Sequence, residues 1–144
     1  MNMFADLNIA PEFVVTHAPA LLVLVPLLMS AATVVAPNGR FAWVMALGTS
    51  AFCLWAGVAL AADVADKGLI SYEMGGWAPP LGIEFRADDL NTLVVLVITL
   101  VGLLSAIYAQ PAVSREVRSE KQPLFYTAFQ ICLAGLLGIS LTGD

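Results

Sequence analysis

The sequence predicts an all-α integral membrane protein with four transmembrane helices and an extramembrane hairpin-like loop between the second and third helices. Of its 144 residues, 60% are hydrophobic and 12% are charged, and the apolar residues fall into four long uncharged segments. A hydrocarbon core of roughly 30 Å takes about 20 helical residues, so this length allows four crossings and little more. The composition excludes a soluble α/β enzyme, and the net charge of −5 excludes a nucleic-acid-binding protein.

We expect the first span at residues 14–36. Residues 1–17 contain no Lys or Arg, so they lack the basic start of a secretory signal. Pro26 lies inside the predicted helix and removes one backbone hydrogen bond, which in lipid has to be compensated by a neighbour. The face that carries Pro26 is therefore predicted to be packed. The motif Pro37-Asn38-Gly39 predicts a tight turn after this span.

The remaining spans are expected at residues 41–62, 90–110 and 123–141. Small residues recur every four positions at Ala42, Ala46 and Ser50, and again at Ala134 and Gly138. This spacing lets two helix backbones approach closely, so these faces are predicted to be helix–helix contacts.

The loop at residues 63–89 is acidic and carries a hairpin signal. Alternating apolar and polar residues at 69–74 and 81–85 flank the turn-forming sequence Gly-Gly-Trp-Ala-Pro-Pro at 75–80. Two alternating stretches around such a turn predict a small β-hairpin outside the membrane.

The basic residues predict the orientation. Four of the six lie after the first and third spans, at Arg40, Arg115, Arg118 and Lys121. Because cytoplasmic loops are enriched in Lys and Arg, the loop at 111–122 is expected in the cytoplasm. Both termini and the acidic loop are then expected outside, although Lys67 and Arg86 lie on that side.

The predicted spans contain no Asp, Glu, Lys or Arg. Moving a proton or an ion across a bilayer requires titratable or charged groups at depth. We therefore predict that the chain does not conduct by itself. The sequence also shows no catalytic constellation, no cofactor motif and no metal-ligand spacing, and none of these is assigned.

The polar or interface candidates are Asp88, Asp89, Gln130, Thr142 and Asp144. Asp88 and Asp89 stand where acids stabilise a helix N-terminus. Gln130 shares a helix face with Thr127, and this pair is more typical of an interhelical hydrogen bond than of a proton path.

Three further side chains have structural interpretations. The single histidine, His17, is interpreted as an interfacial residue at the outer end of the first span. Cys53 and Cys132 are interpreted as small packing residues.

Two segments resemble a known family. Residues 75–83 (GGWAPPLGI), followed by ADDLN at 87–91, resemble the second external loop and third helix of the D-type subunits of multisubunit (Mrp-type) cation/proton antiporters. Residues 133–144 (LAGLLGISLTGD) resemble the end of the fourth helix in those subunits, which are homologues of the proton-pumping subunits of respiratory complex I. Asp89 and Asn91 depart from this pattern, since relatives more often have Arg and Ser there.

The resemblance implies that the chain corresponds to the first four helices of a larger bundle. The membrane-embedded glutamate and lysine of that family would follow Asp144, so neither is assigned here. The chain could be a natural split subunit, a truncation or a cut fragment.

The leading hypothesis is the amino-terminal structural part of a proton-conducting antiporter subunit in the inner (plasma) membrane. Its partners would be the lipid bilayer, the remaining helices of the subunit or a separately encoded continuation, and other small antiporter subunits. Protons and sodium would pass through the assembled complex. The alternatives are the equivalent part of a complex I or membrane-hydrogenase subunit, and a small scaffold that transports nothing.

Overall fold

The computed structural model describes residues 11–73, 76, 77, 80 and 84–142, and within them it consists of four long helices and one small hairpin. The elements are α1 (Glu12–Val34), α2 (Gly39–Lys67), β1 (Ile70–Glu73), β2 (Glu84–Ala87), α3 (Asp89–Glu116) and α4 (Gln122–Leu141), with a 3-10 turn at Ser119–Lys121. All four helices are long and apolar enough to cross a membrane. The predicted all-α membrane fold is thereby confirmed.

Two helices are longer than the apolar segments that predict them. Helix α2 continues to Lys67 and α3 to Glu116, whereas the uncharged segments were expected to end at 62 and 110. Hydropathy marks only the part of a helix that suits lipid, while backbone hydrogen bonds and side-chain pairs extend it into water. The ammonium of Lys67 lies 2.7 Å from the carboxylate of Asp63, four residues earlier, which is the spacing that supports a helix end.

The helices form one antiparallel bundle. Helix α1 packs along both α2 and α4, α2 packs along α3, and the contact between α3 and α4 is less extensive. Ala42, Ala46, Ser50 and Ala134 are all buried, so the predicted small-residue faces do lie at helix contacts. Pro26 is also fully buried, as its lost backbone hydrogen bond requires.

The bundle has two chemically different ends. At the hairpin end, α1 and α3 begin, α2 and α4 end, and the two strands lie over the helices. At the basic end, the turn between α1 and α2 packs beside the start of α4, and Gly39 is so close to Gln122 that an added Cβ would overlap its side chain. The four basic residues Arg40, Arg115, Arg118 and Lys121 belong to the basic end.

The predicted hairpin is present in the described residues. Strands β1 and β2 pair antiparallel, with Ile70 opposite Ala87 and Glu73 opposite Glu84. The second strand therefore extends two residues beyond the predicted stretch 81–85, of which 81–83 lie outside the described residues. Phe85 and Ala87 are buried against the helix ends, so the side chains that anchor the strand set its position. Within the turn, Gly76 has a φ of 75°, a conformation that glycine adopts without steric cost.

Candidate functional site

Three polar side chains meet at the centre of the bundle, one from each of α1, α2 and α4. Gln130 on α4 is completely buried. Its Oε1 accepts a hydrogen bond of 3.0 Å from the hydroxyl of Thr33, and its Nε2 donates one of 3.4 Å to the hydroxyl of Thr49. We refer to Thr33, Thr49 and Gln130 as the Gln130 cluster.

The cluster separates two hydrophobic regions of the core. Toward the hairpin end lie Leu22, Leu60 and Leu137 with their neighbours, and toward the basic end lie Ala46 and Tyr126 with theirs. Gln130 is eight positions into α4, which at about 1.5 Å per residue places it about 12 Å from the start of that helix. Gln130 therefore lies near the middle of α4, and it contacts Thr33 in the last turn of α1.

The hydrogen bonds of the cluster can be assigned proton by proton. Each threonine hydroxyl carries one proton and can also accept. The Thr49 hydroxyl donates its proton to the carbonyl of Met45 at 2.8 Å and accepts a hydrogen bond from Gln130, so it is used both as a donor and as an acceptor. Thr33 lies 2.7 Å from the carbonyl of Met29 and 3.0 Å from Gln130, and it can donate to one of them at a time.

The cluster is neutral, and so is the rest of the polar core in the described part of the chain. The buried polar side chains there are hydroxyls and one carboxamide: Ser30, Thr33, Thr49, Ser50, Thr92, Thr99, Thr127 and Gln130. Across residues 11–73, 76, 77, 80 and 84–142, no group of three His, Cys, Asp or Glu residues could hold a metal ion. This arrangement can fix helices against one another, but it offers no group that gains or loses a proton near neutral pH.

Asp88 and Asp89 lie at the hairpin end, at the start of α3. Asp88 is the N-cap, and its carboxylate accepts a 2.7 Å hydrogen bond from the backbone N–H of Asn91. Asp89 occupies the first helical turn and is exposed. Asp88 therefore caps α3, and Asp89 stands where a negative charge stabilises a helix N-terminus.

Thr142 also lies at the hairpin end, whereas Asp144 is outside the described residues. The hydroxyl of Thr142 donates to the carbonyl of Gly138 at 2.7 Å, and its backbone bridges to Phe85 of β2. The sequence candidates are therefore not one site: Asp88, Asp89 and Thr142 line one end of the bundle, and Gln130 lies at its centre.

Of the two polar residues on this face of α4, Gln130 forms the expected interhelical hydrogen bonds and Thr127 does not. The hydroxyl of Thr127 donates to the carbonyl of Pro123, four residues earlier, as threonines inside helices commonly do. Both cysteines were interpreted as packing residues; Cys53 is buried, whereas Cys132 is exposed on α4 and does not pack inside the bundle. A single cysteine in an apolar run does not reveal which helix face it occupies.

The sequence analysis did not identify the two partners of Gln130, nor the contact between His17 and Tyr72. Thr33 and Thr49 are isolated polar residues in apolar segments, which was a usable signal, but their pairing with Gln130 depends on how three helices pack. His17 Nδ1 lies 2.8 Å from the phenol oxygen of Tyr72, and the two rings meet edge to face. This contact joins α1 to strand β1.

Comparison with known proteins gives a consistent group of relatives, although no family model matches the chain. The N subunit of NADH-quinone oxidoreductase of Desulforudis audaxviator is 34% identical over 89% of this chain and 26% of its own length. The D-type subunit of the Na(+)/H(+) antiporter of Bacillus subtilis is 35% identical over 59% of this chain and 17% of its own length. The A/B-type subunit of a probable K(+)/H(+) antiporter of Rhizobium meliloti is 29% identical over 85% of this chain and 12% of its own length. The matched region is thus about a quarter or less of each relative.

Proposed function

The chain belongs to the antiporter-like superfamily that includes Mrp-type antiporter and complex I subunits, and from this premise we propose that it is the amino-terminal structural part of a proton-conducting cation/proton antiporter subunit, not conducting by itself. It is a multi-pass membrane protein. The relatives are subunits of larger assemblies, which supports partner subunits for this chain as well.

The observation that carries this proposal is the neutral polar core. Permeation requires groups that replace the hydration shell of an ion or relay a proton, and charged groups at depth are costly enough that they normally serve such a function. In the described bundle, the groups at depth are threonine and serine hydroxyls and the carboxamide of Gln130. The conducting carboxylates and lysines must then come from other helices, contributed by the same polypeptide or by a separate one.

The structural role follows from the Gln130 cluster. Hydrogen bonds between helices in lipid contribute about 0.6 kcal/mol each on average, and here two of them connect α1, α2 and α4. A bundle fixed at its centre and capped by the hairpin forms a rigid wall. Conducting helices packed against this wall would be held in a defined position.

We place the basic end of the bundle in the cytoplasm and the hairpin end outside, in an inner (plasma) membrane. The described hairpin end is acidic, with Asp63, Asp66, Glu73, Glu84, Asp88 and Asp89 among its residues. Concentration of Arg and Lys at the opposite end supports this orientation.

Ion flux in vesicles tests the proposal. The purified chain is reconstituted, a sodium or potassium gradient is imposed, and internal pH is followed with a dye. The expected pH change equals that of protein-free vesicles, while vesicles containing the complete antiporter assembly respond to the same gradient. A saturable signal that scales with the amount of this chain alone would contradict the proposal.

The genes next to this one provide a second, independent test. Adjacent genes for small antiporter subunits are expected. Neighbouring genes for quinone-binding and iron–sulfur proteins would instead assign the chain to a redox-driven assembly.

A further inference from the structure

The cations at the two ends of the bundle differ in their partners. At the hairpin end, the ammonium of Lys67 lies 2.7 Å from the carboxylate of Asp63. The guanidinium of Arg86 there lies 3.9 Å from the carboxylate of Glu84. At the basic end all four cations are exposed, and no carboxylate oxygen of the described residues lies within 4.0 Å of any of them. The basic end therefore presents positive charge that the described part of the chain leaves unpaired.

Three of these cations are brought together by a contact between two loops. Gly39 packs so closely against Gln122 that an added Cβ would lie 2.8 Å from the Cβ of that residue. Gln122 in turn donates a 3.0 Å hydrogen bond to the carbonyl of Val117. Each of these three contacting residues has a cation beside it in the chain, and we call the three cations the basic triad: Arg40, Arg118 and Lys121.

Two members of the basic triad stand at the end of an exposed apolar helix face. Arg40 is the second residue of α2, and Val44, one turn further on the same face, is exposed. Lys121 directly precedes α4, and one turn further Leu124 and Phe125 are exposed. In a transmembrane helix, these positions place the positive charge among the lipid headgroups and the apolar side chains beside the acyl chains.

This combination of charge and apolar surface fits a phospholipid with a negatively charged headgroup. Phosphate oxygens accept strong charge-assisted hydrogen bonds from guanidinium and ammonium groups. A soluble phosphate or an acidic protein segment in water would pair with the charges, but it would leave both apolar faces without a partner. An anionic lipid pairs with the charges and covers the faces, and basic clusters next to transmembrane helices attract such lipids.

We propose that the basic triad binds the phosphate of an anionic phospholipid, whose acyl chains lie along the exposed faces of α2 and α4. The bound lipid links the turn between α1 and α2 to the loop between α3 and α4. In the orientation given above, it belongs to the cytoplasmic leaflet. The inference goes beyond the proposed function, since it requires neither ion transport nor a partner subunit.

Native mass spectrometry of the full 144-residue chain tests the lipid specificity. The purified protein is mixed with equal amounts of dioleoyl phosphatidylglycerol and dioleoyl phosphatidylcholine, which have the same acyl chains and differ in headgroup charge. Each cation near a membrane surface strengthens the attraction of an anionic lipid about fivefold. Phosphatidylglycerol should therefore be retained at least about fivefold more than phosphatidylcholine. Equal retention of the two lipids would overturn the inference.

Charge-removing variants test the position of the site. Arg40→Gln and Lys121→Gln should each lower the apparent affinity for phosphatidylglycerol by about fivefold, and Arg40→Lys should recover most of that loss. Arg86→Gln is the matched control, because it removes the same charge at the hairpin end, and it should leave the affinity unchanged. All three side chains are exposed, so the bundle should stay folded, which unfolding in phosphatidylcholine micelles checks. Equal losses in Arg86→Gln and Arg40→Gln would show that only net charge matters and would overturn the site.

Two water-soluble competitors distinguish the lipid from other sources of negative charge. Glycerol 3-phosphate carries the phosphate without acyl chains, and a poly-glutamate peptide represents an acidic protein segment. At the same concentration as the lipid, neither should reduce the retention of phosphatidylglycerol, because neither covers the apolar faces. Displacement by glycerol 3-phosphate would assign the basic triad to a soluble phosphate, and displacement by the peptide would assign it to an acidic protein. Either result would overturn the inference.

Discussion

Gln130 shows how one polar side chain is accommodated at the centre of an apolar bundle. The hydroxyl of each of its two threonine partners can donate to the carbonyl four residues earlier in its own helix. If the carboxamide is removed, both hydroxyls therefore stay satisfied, and no buried polar group is left without a partner. The contribution of Gln130 to stability should then come largely from its volume.

Substitution of Gln130 tests this conclusion. Gln130→Leu preserves most of the volume and should change the free energy of unfolding by about 1 kcal/mol or less. Gln130→Ala leaves a cavity and should cost about 2 kcal/mol or more. Reversible unfolding in mixed micelles measures both. A large cost for Gln130→Leu, equal to that of Gln130→Ala, would show that the hydroxyls do not fall back on their own helices.

The sequence alone predicts that Gln130 forms an interhelical hydrogen bond, but it does not predict with which residues. A helical spacing identifies residues on the same face of α4, whereas the partners of Gln130 come from α1 and α2. Thr33 and Gln130 are 97 positions apart in the chain, and only the packing of the helices brings them together. Capping by Asp88 was predictable because its partner Asn91 is three residues away.

The turn between α1 and α2 forms a close contact with the start of α4. Asn38 caps α2 by accepting a 2.8 Å hydrogen bond from the N–H of Phe41, and Gly39 follows it. The space beside Gly39 is filled by Gln122, which donates a 3.0 Å hydrogen bond to the carbonyl of Val117. The sequence predicted the turn, but not that its glycine is required by a neighbouring helix.

Alanine substitutions separate this requirement from helix propensity. Gly39→Ala places a Cβ 2.8 Å from the Cβ of Gln122, so it should destabilise the bundle by about 1–3 kcal/mol. Gly48→Ala meets nothing and should be neutral or stabilising by up to about 1 kcal/mol. Unfolding of the two variants under identical conditions checks the difference. Equal stabilities would contradict the close contact.

The hairpin is held to α1 through Tyr72 and His17. The phenol and imidazole are joined by a 2.8 Å hydrogen bond and by an edge-to-face ring contact. Tyr72→Phe removes the hydrogen bond and keeps the ring, so the hairpin should open more readily by about 0.5–1.5 kcal/mol. Hydrogen exchange of the amides in β1 should accelerate accordingly, with those in the centre of α2 unchanged. Unchanged exchange in β1 would show that the contact does not hold the hairpin.

The four-helix fold was largely predictable because lipid allows few solutions. A backbone in hydrocarbon must satisfy its own hydrogen bonds, so each long uncharged segment has to be a helix. The presence of each helix can therefore be predicted from the composition of its segment. The position of β2 could not be predicted in this way. Its register depends on the burial of Phe85 and Ala87 against helix ends that are distant in sequence.

The orientation of the whole bundle follows from its two ends. Ser114 lies beside Arg115 at the basic end, and Ser71 lies in β1 at the hairpin end, so the two positions report opposite sides of the membrane. Both residues are exposed, and neither lies among the buried core residues. Because positively charged loops stay in the cytoplasm, a cysteine at Ser71 should react with an impermeant thiol reagent in intact cells, and a cysteine at Ser114 should react only after the cells are opened.

Both substitutions are made in the Cys132→Ala background, and Cys53 is buried, so the label reports the introduced thiol. Labelling of Ser114→Cys but not Ser71→Cys in intact cells would invert the orientation, and it would place the acidic hairpin in the cytoplasm.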